Sequence, residues 1–510
     1  MIISLSVLVI TIIVSGTYAL YKAQLSKNIG VNTTTHGLAY YINYVKGTDI
    51  TAATLNPSTS YEGGASSDIE FWKKDDSYDI YGKIELTVNT IGTNLSNSPA
   101  LKYAVVNNGN VLKEGSLKGT TSGSKVTILK NLYLEQTKQI YTVYVWLDNS
   151  EELGNISNES LSISVYCTAS LQKEPTAADT IISLYTSAAK VTATNNSITY
   201  NTAPSVSLMN DRLGGTTTSL DGGNIRYYGA SPNNYIYFNC SDYSNQTSST
   251  CETWRIIGVF DGKLKLIKSE SIGAYSWDNK DTSTGAENDT GKNDWTTARL
   301  MKLLNPSNYY KVDSNDNNLG QSLYYNSASG KCYSGQNNAT VDCDFTSTGI
   351  KNAETRNMIA ETTYNLGGWN SNSVYSNQIY EYERGTTVYS GRPTTWKGKI
   401  ALAYPSDYGY AADLNQCKDK TLYDYDNRTC TSNNWMKAII TNNGSNTGWL
   451  LTPRSGSSSN AWYVNSGGFV SRDSIAYVAY GAVPVLSLSS ELGIESGGDG
   501  SSSKPYKLSA

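Results

Sequence analysis

Charge is scarce in this chain. Asp, Glu, Lys and Arg make up 16% of its 510 residues, against roughly a quarter in an average soluble domain. The net charge of −4 and a pI near 5.4 give no general attraction to polyanions, and no run of Lys and Arg supplies a local one, so nucleic acid is excluded as an expected partner. Histidine is represented once, by His36, and there is no CxxC. A zinc site of the usual Cys/His type is therefore not expected. Phenylalanine (5) and proline (11) are also few.

In place of these residues stand 40 Tyr and 43 Gly, with abundant Asn, Ser and Thr. The polarity alone would suit disorder, but Tyr, Val, Ile and Leu alternate regularly with polar residues, which is the period of strands. The expectation is a folded, mainly β chain with a few helices, long enough for two or three domains.

One hydrophobic run stands apart. MIISLSVLVITIIVSGTYAL, the first twenty residues, is uncharged and long enough to cross a bilayer as a helix. No basic residue precedes it and Lys22 and Lys27 follow, so charge does not set its orientation, and Thr17-Tyr18-Ala19 would serve as a cleavage site. Residues 1–24 are read as a retained anchor or a removed signal, which places the rest on the extracellular face of the cell membrane or free in the medium. Cysteine usage agrees. Cys240 and Cys251, Cys332 and Cys343, and Cys417 and Cys430 form three local pairs, suggesting disulfide staples made in an oxidising compartment. Cys167 is left over and reads as a small buried residue closing a strand, with a reactive thiol as the alternative.

Residues 25–168 hold short alternating segments such as YGKIELTVN, LKYAVV and QIYTVYVWLD, with Asn107-Asn108-Gly109-Asn110 marking a hairpin. Strands so spaced pack as a β-sandwich, Ig-like or jelly-roll, with Trp146 in its core or on a sheet face. The YTVYVWLD stretch, behind an N-terminal segment ending SGTYALYK, resembles the TasA and camelysin group of Gram-positive envelope proteins. Residues 169–220 read as a mobile connector with a short helix in KEPTAADTIISLYTSAA. Residues 221–490 form a second domain. In it Asp261-Gly262 is a strong hairpin signal, NDWTTARLMKLLNP a helix capped by Asn or Asp, and STGIKNAETRNMIAETTYNLGG a second helix running to its glycines. Residues 491–510 read as a flexible Gly/Ser tail whose final PYKL pairs back on the domain.

The stretch from Trp449 to Leu488 carries WLLTPRS, WYVNSGG and GAVPVLSL. These resemble the closing strands of the C-type-lectin-like fold, in the branch that includes formylglycine-generating enzymes and variable proteins diversified by retroelements. The enzymes of that branch imply reactive cysteines in the last strands, yet no Cys follows Cys430, and Glu252, Asp261 and Asp473 are scattered carboxylates rather than a pair. The resemblance therefore implies a binding head without catalysis. Trp449, Leu450, Trp462, Val464, Val483, Val485 and Leu486 would form its frame. Ser457, Ser458, Asn460, Tyr463, Asn465, Arg472, Asp473, Tyr477 and Tyr480 would meet the ligand, an extracellular protein or glycan, because Tyr brings contact area at low entropic cost and Ser and Asn bring adaptable hydrogen bonds. The plainer alternative is an ordinary polar β-surface.

No cofactor is called for. DNKDTSTGAENDTGKND (278–294) and DSNDNN (313–318) are rich in oxygen donors and leave a structural calcium open, but Asn318 and Tyr324 stand where an EF-hand needs Gly and Glu, so solvated loops are the favoured reading. Taken together, the sequence suggests an adhesion-type surface protein; a structural envelope protein and an enzyme are the alternatives.

Overall fold

The computed structural model describes residues 23–24, 41–51, 55, 57–149, 153, 156, 159–196, 198–212, 223–279, 290–311, 320–335, 339–442 and 446–509. The chain is mainly β and divides into two compact units, Met1–Glu174 and Pro175–Ala510. Among the described residues no helix is long and apolar enough to cross a membrane. The apolar run at 1–20 lies outside the described residues, as do His36 and the 313–318 stretch. Ala23 and Gln24, assigned by sequence to the anchor segment, instead pair as a short strand with Ala169 and Thr168.

The first unit is two sheets over one core. One sheet orders Ala23–Gln24, Leu161–Ser170, Tyr81–Ile91 and Lys125–Tyr133; the other orders Ile42–Val45, Ala65–Lys73, Ile140–Asp148, Leu101–Asn107 and Asn110–Ser116. Alternation drives this packing. Ile69 and Phe71 from one sheet and Ile84, Leu86 and Val88 from the other are all fully buried in a single cluster. Cys167 joins that cluster, and burial pushes its thiol well above the usual range. Trp146 lies on a sheet face in a small cluster with Ala104 and Val106. The hairpin at Asn108-Gly109 turns with φ of 48° and 77°, the left-handed pair that a two-residue turn requires.

The second unit begins earlier than its sequence suggests. Most of the stretch read as a connector is structured here, starting with the helix Ala177–Ser187, which Thr176 and Asp179 cap reciprocally and which buries Ile181 and Tyr185. Val191–Asn195, Ile198–Ala203 and Leu208–Asn210 follow as strands of a nine-stranded sheet that continues through Ile225–Tyr227, Glu252–Phe260 and Lys263–Lys268. The unit's two ends are sewn together. Ala177 N donates to Leu492 O at 2.6 Å, Gly493–Ile494 pairs with Leu508–Ser509, and the buried Gln246 bonds both backbone groups of Leu508. The Gly/Ser tail is thereby docked.

Two helices differ from expectation in how they start and stop. Arg299–Leu304 receives no cap from Asn293 or Asp294; Asp278 accepts from Arg299 N at 3.3 Å in their place. The second, Ala353–Met358, is capped by Asn352 but ends before the glycines, because Thr362–Asn365, which opens on two β-branched threonines, pairs with Thr395–Gly398.

Disulfides join Cys240 to Cys251, Cys332 to Cys343 and Cys417 to Cys430. Each closes a short loop, a constraint worth about 3 kcal/mol in the chain-entropy account.

Candidate ligand-binding face

The stretch Trp449–Leu488 supplies most of a five-stranded terminal sheet, ordered Ala274–Ser276, Ala479–Gly481, Gly448–Pro453, Asn460–Val464 and Val470–Ile475. Its strands are covered on both sides. Trp449, Leu451 and Ala461 join the main core of the unit, while Leu450, Trp462 and Val464 join a second cluster with Val483 and Val485. Period-two alternation thus fixes which side chains are left at the rim.

At that rim runs a cross-strand aromatic row. Tyr275 pairs with Tyr480, Trp449 with Tyr463, and Tyr463 with Ser471. Trp449, 1% exposed, sits under the Tyr480 ring at 4.8 Å, and Tyr480 lies 5.5 Å from Tyr463. Both tyrosines are half-buried. Burial pushes the Tyr463 hydroxyl up, against a hydrogen bond from Ser471 that lowers it. Tyr423, exposed and set 5.4 Å from Phe469, extends the aromatic surface.

The polar residues separate into two groups. Ser457, Ser458 and Asn460 belong to a turn locked from beneath. The buried Asn293 amide donates to the carbonyls of Arg454, Ser457 and Asn460 at 3.1, 2.8 and 2.8 Å, and Arg392 donates to Ser458 O at 2.8 Å. The Ser457 hydroxyl is turned back onto Asn460 Oδ1. Asn465 likewise accepts from Gly467 N at 2.7 Å and shapes its own turn. Tyr477, half-buried, offers its carbonyl to Ser276. Arg472 and Asp473 form the second group, joined by Arg454. Arg454 Nη1 and Arg472 Nη1 each reach Asp473 at 2.5 Å. Asn370 orients both, accepting Arg454 Nε at 2.7 Å on its side chain and Arg472 Nε at 3.0 Å on its backbone. Asn293, Arg392, Asn370 and Arg454 escaped sequence reasoning. Two of them fall within stretches already quoted, Asn293 in NDWTTARLMKLLNP and Arg454 in WLLTPRS.

A separate group of ionised side chains lies deep in the unit. Arg226 bonds Asp211 at 2.5 Å and Asp407 at 3.1 Å, and Lys265 also pairs with Asp407. Burial would raise the Asp407 carboxyl, but Lys265 and Arg226 outweigh it and hold it below its ordinary value. Glu383 is pushed up to about 7 by burial, even with Ser406 donating to it twice. Asp407 is 2% and Glu383 0% exposed. Enclosed groups of this kind hold α-helix Pro405–Tyr410 against the sheet and are out of reach of a dissolved substrate. The cavity bounded by Tyr275, Arg299, Leu303 and Tyr333 measures about 10 Å³, room for one water. Among the described residues no group of three or more His, Cys, Asp or Glu could hold a metal ion.

No family model and no curated protein matches the chain. Among solved structures, crystal structures of two HCR/D mutants match at 12% identity, covering 51% and 50% of this chain and 76% of theirs, each with a TM-score of 0.15. A quasi-atomic model of the PBCV-1 virus capsid matches at 12% identity over 42% of this chain and 60% of that one, with a TM-score of 0.13. Likenesses at these scores carry no argument.

Proposed function

We propose that this chain is a cell-surface ligand-binding protein that works without catalysis. It would be carried by an N-terminal membrane segment and an Ig-like or jelly-roll sandwich, with the second unit as a C-type-lectin-like head. The observation that carries this reading is the row of half-exposed tyrosines over a buried Trp449, a stiff amphipathic surface of the kind binding loops use. The ligand is an extracellular protein or glycan, and the three disulfides suit that compartment. Catalysis of the formylglycine-generating type finds no support in the thiols, since six are bonded and Cys167 is buried.

The full chain applied to glycan and protein arrays should retain at least one ligand, and Tyr463→Ser with Tyr480→Ser should abolish its capture. Arrays without a ligand, or capture indifferent to both substitutions, would overturn the reading. A structural role in an envelope or matrix is the second reading. It rests on the strand Asn110–Ser116, an edge of its sheet with Val111 43% and Leu112 38% exposed; filaments formed by the full chain and lost in Val111→Lys would favour it.

A further inference from the structure

We propose that the Arg454–Asp473–Arg472 cluster is the subsite that takes a carboxylate of an acidic polysaccharide, with Asp473 occupying the place of the ligand's carboxylate until it arrives. The proposal rests on the ligand-binding reading above and names the class of ligand.

Three observations support it. First, the two guanidiniums come from positions 18 apart and are fixed before any ligand binds, because Asn370 accepts the Nε of each, at 2.7 and 3.0 Å. Their Nη groups therefore converge on one point, which Asp473 fills at 2.5 Å from both. Arginine held in this way loses little further entropy on meeting a planar carboxylate. Second, the cluster carries one surplus positive charge on a chain whose net charge is −4. The arginine side chains are 22% exposed and the aspartate 49%. An ion pair this open to water is weak, so displacing Asp473 costs little. Third, an aromatic residue adjoins the cluster through the backbone, the Trp369 carbonyl accepting from Ser455 N at 3.5 Å. Trp369, next to Asn370 in the chain, is half-buried and stacked on Tyr382 at 3.9 Å with 9° between ring planes. A part-exposed indole one residue from the asparagine that orients both arginines suits the apolar face of a sugar ring bearing a carboxylate; an acidic peptide would not need it. The strand Val470–Ile475, which carries Arg472 and Asp473, is the last in the order of the terminal sheet, and the 370–372 segment lies along it, with Asn370 O accepting from Arg472 and Asn372 donating to Val470 O at 3.5 Å.

The test is binding of the full chain to polygalacturonate at low and at physiological salt, with polyglutamate and neutral dextran alongside. Arg454→Gln and Arg472→Gln should each weaken polygalacturonate binding by about tenfold, the loss of one charge-assisted contact. Asp473→Asn should strengthen it by about threefold or more, since the competing carboxylate is gone. Lys397→Gln, which removes an exposed positive charge elsewhere, should change nothing, and near-ultraviolet circular dichroism should be the same for all four variants. No binding by either the wild type or Asp473→Asn at low salt overturns the proposal, and so does an Asp473→Asn variant that binds no better. Equal capture of polyglutamate overturns the assignment to sugar. If an array ligand is lost in the Tyr463/Tyr480 variant yet kept in both arginine variants, the ligand-binding reading stands and this subsite falls.

Discussion

Asn293→Ala should loosen the terminal sheet from beneath. Asn293 is 0% exposed, and its amide hydrogens are shared among the carbonyls of Arg454, Ser457 and Asn460 while its oxygen accepts Arg392 Nε at 3.2 Å. Alanine leaves these carbonyls facing an apolar methyl and a small void that water cannot fill well. The two amide hydrogens, at about 1 kcal/mol each, and the bond from the guanidinium, at about 2, bring the cost to about 4 kcal/mol. Asn293→Asp gives no rescue, because it sets carboxylate oxygens against carbonyl oxygens. Denaturant unfolding with the disulfides intact, followed by tryptophan fluorescence, measures the loss. Hydrogen exchange of the 454–460 amides locates it, with an expected acceleration of about a hundredfold or more. A loss under about 1 kcal/mol with unchanged exchange would refute the claim that this amide fixes the turn.

Two further outcomes follow from the buried charges. Asp407→Asn leaves Arg226 with Asp211 as its ion-pair partner and takes from the buried Lys265 the carboxylate it pairs with, and should cost about 3–5 kcal/mol in the same unfolding measurement; a loss below 1 kcal/mol would mean that water reaches the cluster. Glu383, with its folded pKa raised by burial from 4.5 to about 7, binds a proton in the folded state that the unfolded chain has already released. Its contribution is therefore favourable at low pH and is lost as pH rises from about 4.5 to 7, a fall on the order of 3 kcal/mol. Asp278, raised to about 6 by burial, acts with the same sign. Glu383→Gln should flatten most of that slope in stability measured between pH 4 and 8, and an unaltered slope would remove Glu383 from the account.

Local signals in the sequence translated well into structure where the physics is itself local. Asp261 and Gly262 take φ of 48° and 71° at their hairpin, and each cystine joins neighbours 11 or 13 positions apart. The 191–210 strands were illegible because their Thr and Asn residues give little apolar pattern; Tyr200 and Met209 are buried by Tyr380, Tyr410 and Leu414, some two hundred positions away. The same holds at the candidate face. Tyr463, Tyr480, Arg472 and Asp473 stand out by composition and position. Which serines are already spoken for depends on Asn293 and Arg392, and the pairing of Arg454 with Arg472 depends on Asn370. A charge-poor chain can still concentrate positive charge at one point when strands from different segments meet.

The seam between Ala177, Leu492 and the docked 493–509 hairpin places the entrance and the exit of the second unit side by side. Folded segments with adjoining ends tolerate circular permutation and insertion into a host loop. The head is in this sense a cassette: joined across that seam and reopened at the Asp261-Gly262 turn, it would present the same tyrosine row from a different point of attachment.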